Sequence, residues 1–234
     1  PVKDWNVAYV PYCDGSIFGG NVDYDIDEDG IDDRFHRGLK NLSAAVDVTA
    51  HTFPQPRRIV IAGTSGGGYG TFSALPLVRR LYPDVPIEVI NDSGLGAAPA
   101  GDPTASSVLE YWNSFSLVPE SCADCLSEGN ATGLFNWLMG EDENLRLAAL
   151  SYKQDFTIGT FYTGLGDVAF EELLLASMSA VESENPERFR SFLKDGGAHT
   201  LLRSLSESID GVTLSQWLSN FLYETEAWVT VIED

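Results

Sequence analysis

An apolar run that ends in a glycine-rich turn constrains the fold more than any other part of the sequence. Residues 59–62 predict a buried strand, and residues 66–81 are compatible with a helix. Between them, Gly63-Thr64-Ser65-Gly66-Gly67 matches Gly-x-Ser-x-Gly, a pattern of sharp turns that present a serine hydroxyl. Such a turn also directs the backbone N–H of Gly66 toward a developing oxyanion. The pattern therefore predicts a nucleophilic Ser65; the alternative is a serine that caps a helix.

Strand and helix patterns alternate on both sides of this turn. Residues 7–13 and 87–92 predict further strands, and residues 36–52 predict an amphipathic helix. This alternation is typical of a parallel sheet with crossover helices. The predicted class is therefore α/β, with a mostly parallel sheet, helices on both faces and a small helical cap.

The remainder of the chain completes one domain, residues 1–234. Residues 97–145 are rich in glycine, serine and alanine and predict short helices that cap the sheet. The elements predicted after them are a strand, a long helix, a last strand and a final amphipathic helix, at residues 147–152, 167–184, 188–193 and 214–222.

The charge balance restricts the partners of the chain. Its 234 residues include 14 basic and 35 acidic side chains, which give a formal net charge of −21. Such a surface repels the phosphates of nucleic acids and of anionic lipids. We therefore expect neither nucleic acid nor a membrane as a partner. No apolar run in the sequence approaches the length of a transmembrane helix.

The three cysteines bear on the cellular compartment. Cys122 and Cys125 form a single C-x-x-C pair, which favours a disulfide or paired thiols over a zinc site, and Cys13 stands apart. A disulfide would imply an extracellular or periplasmic setting. Residues 1–5 lack the basic and apolar regions of a signal peptide.

A serine nucleophile needs a neighbouring base, and the sequence has three histidines to offer. His36 and His51 precede Ser65. His199 follows it, in a glycine-rich loop after the predicted strand at residues 188–193. The order serine, acid, histidine is typical of hydrolases with this kind of turn. His199 is therefore the predicted base, and a surface or helix-capping histidine is the alternative.

The acid that orients the base must lie between Ser65 and His199 in this order. Asp92 and Asp155 both end predicted strands in that interval. We choose Asp155 as the acid and keep Asp92 as the alternative, because Asp92 would also serve to order its strand end through backbone hydrogen bonds. Asp167 has the position of a helix N-cap.

An aspartate-rich loop precedes the first predicted helix. Residues 25–33 spell Asp-Ile-Asp-Glu-Asp-Gly-Ile-Asp-Asp, in which alternate carboxylates and a central glycine suit a calcium loop. An EF-hand is excluded, because its twelfth position is occupied by His36. The candidate ligands of a structural calcium ion are Asp25, Asp27, Asp29 and Asp33. A solvated acidic turn is the equally weighted alternative.

Short polar segments distributed over nearly the whole chain carry a family resemblance. They are Tyr12-Cys13-Asp14-Gly15-Ser16, the turn at residues 63–67, Asn91-Asp92-Ser93-Gly94 and Gly197-Ala198-His199-Thr200, with residues 36–38 and 152–155 in addition. In this order they resemble the pectin acetylesterase/Notum family of α/β-hydrolases, especially its bacterial members. The resemblance implies an α/β-hydrolase fold and a secreted serine esterase that removes acetyl or acyl groups without a cofactor.

Carried over to this chain, the resemblance implies Ser65 as nucleophile, Asp155 as acid, His199 as base and the Gly66 N–H as an oxyanion donor. We therefore expect a secreted or periplasmic serine carboxylesterase that deacetylates polysaccharide. In that family a glycine-rich segment before the Tyr-Cys segment supplies further oxyanion donors, and this sequence begins after it.

Two other functions stay open at this point. The same catalytic groups would serve an esterase acting on other acyl groups, on small-molecule esters or on a polyester. Alternatively, the scaffold would form a non-catalytic, calcium-stabilised binding module, an interpretation that rests on the absence of the family's oxyanion segment from this sequence and on the aspartate loop.

Overall fold

Strands and helices alternate along the chain. The computed structural model describes residues 2–99, 103–114, 118–122, 125–126 and 130–234, and of residues 103–105 only the backbone. The strands are β1 (Val22–Tyr24), β2 (Arg34–His36), β3 (Ile59–Thr64), β4 (Ile87–Asp92), β5 (Leu145–Tyr152), β6 (Phe189–Lys194), β7 (Ser208–Ile209), β8 (Val212–Thr213) and β9 (Val231–Ile232). The helices are α1 (Gly38–Thr52), α2 (Gly66–Leu81), α3 (Pro103–Tyr111), α4 (Thr132–Glu141), α5 (Asp167–Glu184) and α6 (Leu214–Leu222), with a 3₁₀ turn at Glu120–Cys122 and a π-helix at Thr157–Tyr162.

Five parallel strands form the central sheet in the order β3-β4-β5-β6-β9. Thr64 pairs with Asp92, and Asp92 pairs with Leu150, so neighbouring strands end at the same edge of the sheet. The loops that leave β3, β4, β5 and β6 therefore meet at that edge, where open α/β sheets bind their ligands. The predicted α/β-hydrolase-like fold is confirmed.

Apolar side chains of the central strands alternate between two clusters. Leu147 belongs to the cluster that α1, α2, α4 and α5 cover, and its neighbour Ala148 belongs to the cluster under α6. Successive strand residues point to opposite faces, so a strand buried on both faces is apolar throughout. Helices therefore lie on both faces of the sheet. No helix in the described ranges is long and apolar enough to cross a membrane.

The range predicted as a cap contains elements of two kinds. Helix α4 packs into the main cluster through Phe135 and Met139, so it is a crossover helix between β4 and β5. Helix α3 and the 3₁₀ turn lie in the same range, and Cys122 and Cys125 form a disulfide there. Residues 100–102, 115–117, 123–124 and 127–129 of this range lie outside the described residues.

The first predicted strand, at residues 7–13, is wrong. This segment joins no ladder of the described residues, and Val7 and Tyr9 are exposed. A groove of about 1180 Å³ is lined by residues of this segment and by β3, which is an edge strand of the central sheet. An alternating apolar pattern becomes a strand only where a second backbone supplies hydrogen bonds, and the groove separates the two.

Three element boundaries also differ from the prediction. His36 does not open the first helix; it ends β2, where it pairs with Val22. The last strand of the sheet is β9, which pairs with β6 and is too short for its pattern to be visible in the sequence. Gly166, with φ of 75°, occupies the N-cap of α5, so Asp167 is the first helical residue.

Two substitutions in one helix test the assignment of the core. Leu174 of α5 is buried in the main cluster, whereas Val168 of the same helix is exposed. Leu174→Ala should lower the free energy of unfolding by about 2–5 kcal/mol, because it loses apolar contacts and leaves a cavity. Val168→Ala should change it by no more than about 0.5 kcal/mol. Urea unfolding measures both, and equal effects would contradict this packing.

Candidate active site

Ser65 occupies the sharp turn between β3 and α2. Its φ of 53° and ψ of −120° lie in a region that L-residues avoid, so the surrounding structure must hold the strained conformation. A Cβ on Gly63 would collide with the carbonyl oxygen of Gly67, and this close approach requires glycine. The partly exposed Ser65 hydroxyl makes no hydrogen bond with any described residue.

The start of α2 is fastened to the end of β4 through Asn91. The buried amide nitrogen of Asn91 donates to the carbonyl oxygens of Gly68 and Gly94, at 2.9 and 3.1 Å. A Cβ on Gly68 would lie 2.8 Å from the Cα of Gly94, so two glycines allow the helix to approach this closely. The Asn-Asp-Ser-Gly segment therefore supports the turn that carries Ser65.

His199 and Asp155 are in direct contact. The carboxylate oxygens of the fully buried Asp155 lie 3.0 and 2.8 Å from His199 Nδ1. A hydrogen bond to a carboxylate places the imidazole proton on Nδ1 and leaves the lone pair on Nε2. His199 Nε2 is buried and has no hydrogen-bond partner among the described residues. The pair thus presents an oriented and unengaged base.

Backbone hydrogen bonds join the two loops that carry this pair. Gln154 N donates to the carbonyl oxygen of Gly196 at 3.1 Å, and Phe156 N donates to that of Gly197 at 3.2 Å. Gly196 N in turn donates to the Gln154 side chain at 2.6 Å. Sequence reasoning missed Gln154. The signal available was its position beside Asp155, on a loop that must meet the loop after β6 because β5 and β6 are parallel neighbours.

Asp92 connects Ser65 to the loop of His199. Its two carboxylate oxygens accept hydrogen bonds from Leu201 N and Leu202 N, each at 2.9 Å, and its carbonyl oxygen accepts one from Ser65 N at 2.8 Å. Burial raises the pKa of Asp92, and the two N–H groups and the nearby His199 only partly offset this. The alternative acid thus bonds to the backbone beyond His199, whereas Asp155 bonds to its ring. Among the described residues, no hydrogen bond joins Ser65 directly to His199. Asp92 links them through its bonds to Ser65 N and to the backbone after His199.

Gly66 opens α2 directly after Ser65. The N–H groups in the first turn of a helix have no intrahelical partner, so Gly66 N–H is of the type that binds an oxyanion. The ring of Tyr12 lies over this position, since a Cβ on Gly66 would be 3.0 Å from Tyr12 Cε1. Ser65, Gly66, Tyr12 and Tyr162 all line the large groove beside β3.

Comparison with known protein families tests the resemblance that the sequence predicts. A family model described as pectinacetylesterase matches residues 2–116. This matched part, just under half of the chain, is similar to the pectinacetylesterase family. The resemblance predicted from the sequence is therefore confirmed, and the family suggests an acetylesterase, which is a carboxylic ester hydrolase. The matched part contains Ser65 and Asp92, while Asp155 and His199 lie beyond it. No curated protein matches the chain.

The aspartate loop lies between β1 and β2, in the part that matches the pectinacetylesterase family. Carboxylate oxygens of Asp25, Asp27 and Asp29 lie within 4.8 Å of one another. Asp33 is not part of this group, and its carboxylate accepts a hydrogen bond from Ile26 N at 3.2 Å. Three of the four predicted ligands thus come together. Calcium binding by this loop stays a prediction.

The pH dependence of stability tests the burial of Asp92. Because burial raises the pKa of this carboxyl group above 3.8, the folded protein holds its proton more tightly than the unfolded chain does. Its contribution to stability is complete below about pH 3.8 and is lost as the pH rises through the raised pKa. As the pH rises across this window, the free energy of unfolding of the wild type should therefore fall relative to that of the Asp92→Asn variant. Urea unfolding of both proteins at stepped pH measures this difference.

Asp195 provides a control of opposite sign. Hydrogen bonds from Gln154 and Lys153 lower the pKa of Asp195, so the stability that it contributes is present above its ordinary pKa and is lost as the pH falls. Relative to Asp195→Asn, the wild type should gain stability as the pH rises. If both comparisons changed in the same direction, the account of Asp92 would be contradicted.

Metal removal tests the aspartate loop. After treatment with a chelator, added calcium should raise the Tm of the wild type, because the ion neutralises crowded carboxylates in the folded state only. At about 100 times Kd the gain would be about 2.7 kcal/mol. Asp27→Asn should abolish the shift, and Asp33→Asn should retain most of it. Absence of both a Tm shift and a heat of titration in the wild type would identify a solvated acidic turn.

Proposed function

We propose that the protein is a serine carboxylesterase that removes acetyl groups from polysaccharide. The observation that carries the proposal is the Asp155–His199 pair, with hydrogen-bond distances of 3.0 and 2.8 Å and an unengaged Nε2. Asp92 connects this pair to the strained turn of Ser65. A carboxylate, an imidazole and a serine at one edge of a sheet are the groups that acyl transfer requires.

The reaction proceeds in two steps under this proposal. Ser65 Oγ attacks the ester carbonyl carbon while His199 Nε2 takes its proton, and Asp155 stabilises the imidazolium that forms. The N–H of Gly66 donates to the oxyanion of the tetrahedral intermediate. Collapse of the intermediate breaks the bond to the alcohol, which receives the proton from His199 and leaves an acetyl-enzyme. Water, deprotonated by His199, then attacks the acetyl group, and acetate departs with Ser65 restored.

The cofactor and the cellular setting belong to the same proposal. Each proton in these steps moves between Ser65, His199, alcohol and water, so the reaction needs no cofactor, and calcium would serve structure alone. The Cys122–Cys125 disulfide supports an extracellular or periplasmic location. The charge of −21 supports an ester of a small molecule or polysaccharide as the partner, in preference to nucleic acid or a membrane.

Substitutions in the three groups test the mechanism. Ser65→Ala, His199→Ala and Asp155→Asn should each lower kcat for p-nitrophenyl acetate by at least about ten-thousandfold, because each removes a part of one catalytic unit. His51→Ala is the matched control, since His51 is an exposed histidine at the end of α1. Its kcat should equal that of the wild type.

A fluorophosphonate probe gives a second measurement, because it labels only an activated serine. The wild type and His51→Ala should be labelled at Ser65, and the three other variants should not. Equal turnover by the wild type and Ser65→Ala, or labelling at another serine, would contradict the proposed nucleophile.

A further inference from the structure

The side chain of Gln154 joins three separate segments of the chain. Its Oε1 accepts a hydrogen bond from Gly196 N at 2.6 Å, and its Nε2 donates to Asp195 Oδ1 at 3.0 Å and to the carboxylate of Glu171. Glu171 belongs to α5, whereas Asp195 and Gly196 follow β6. The amide thus faces carboxylates with its nitrogen and an N–H group with its oxygen, so one orientation of the side chain satisfies all three bonds.

A buried lysine holds the same two carboxylates. Lys153 is 5% exposed, and its Nζ lies 3.1 Å from Glu171 Oε1 and 3.3 Å from Asp195 Oδ1. A buried ammonium group is tolerated where opposite charges compensate it, and here two carboxylates surround one cation. The neutral amide of Gln154 supplies further N–H donors to these carboxylates. We call Lys153, Gln154, Glu171 and Asp195 the polar clamp.

The polar clamp adjoins both members of the candidate catalytic pair. Gln154 directly precedes Asp155, and Gly196 lies three residues before His199. Gly196 has a φ of 117°, a conformation that glycine adopts because it carries no side chain. Gly197 follows it and is exposed. Two consecutive glycines give the loop little stiffness of its own, so contacts with other segments must hold His199 in place.

Contacts on both sides of His199 hold this loop. After His199, the carboxylate of Asp92 accepts a hydrogen bond from Leu201 N. Before His199, the loop is bonded to the backbone of Gln154 and Phe156 and to the side chain of Gln154. The backbone bonds do not depend on which side chains are present. The bond between Gly196 N and the Gln154 amide does, so it is the restraint that a substitution can remove.

We propose that Gln154 is a positioning residue for the candidate catalytic pair. Its amide fixes the loop before His199, so that the imidazole stays aligned with the carboxylate of Asp155. The inference rests on the proposed function for the reaction itself, whereas the alignment of the two side chains can be measured without turnover. Substitution of Gln154 should leave both catalytic side chains in the protein and impair their alignment.

Proton NMR measures the alignment directly, because a proton held between an imidazole Nδ1 and a carboxylate resonates at unusually low field. The wild type should show this resonance, and its absence from His199→Ala identifies it. Gln154→Met should lose it through exchange with water, since methionine keeps the length of the side chain and removes all three hydrogen bonds. Gln216→Met is the matched control, because Gln216 Oε1 also accepts a backbone hydrogen bond, from Thr213 N at 3.4 Å, but at the start of α6. This control should retain the resonance.

Turnover of p-nitrophenyl acetate gives a second readout. Gln154→Met should lower kcat about a hundredfold, because a small misplacement of a catalytic group has an effect of this size. It should leave KM unchanged, since the lining of the groove that contains Ser65 does not include Gln154. Gln216→Met should match the wild type in both constants.

Persistence of the low-field resonance or of the full kcat in Gln154→Met would overturn the role of Gln154, and so would equal losses in the two glutamine variants. Failure of the wild type to hydrolyse p-nitrophenyl acetate would instead refute the proposed function. The NMR comparison would still decide whether Gln154 aligns the pair.

Discussion

The geometry of the site depends on the hydrogen bonds that the buried residue Asp92 accepts. Its carbonyl oxygen holds the nitrogen of Ser65, and its side chain holds the nitrogens of Leu201 and Leu202. Thr200, between His199 and Leu201, has a φ of 69°, so this turn is strained and needs such a restraint. Asp92, at the end of β4, therefore fixes both the turn that carries Ser65 and the loop that follows His199.

Asp155 serves two purposes in the same way. Its carboxylate contacts His199 and also caps the π-helix that follows β5. Parallel register brings the ends of β4, β5 and β6 to one edge, so residues distant in sequence are joined by short loops there. The strained turn at Ser65 and the orientation of His199 both depend on the hydrogen bonds between these loops.

The sequence predicted the parts of the fold that are determined locally. The ends of α2, β4 and α5 follow from glycine, proline and apolar periodicity, and the structure places them where the pattern indicates. Residues 7–13 have the same kind of pattern and form no strand, because pairing depends on a distant backbone. The short strands β1, β2 and β9 contain too few residues for a period to be visible. Local sequence pattern likewise does not distinguish Asp155 from Asp92, because both residues end strands. They differ in their contacts with the loop of His199, which are visible only in three dimensions.

The position of β3 at the edge of the sheet has a consequence for dynamics. Within the described ranges β3 has one partner strand, β4, and its other flank faces the groove. An edge strand opens at a lower free energy than a strand paired on both sides, so small local excursions precede global unfolding. Fraying of this single ladder would therefore release the turn at Ser65 before the strands paired on both sides separate.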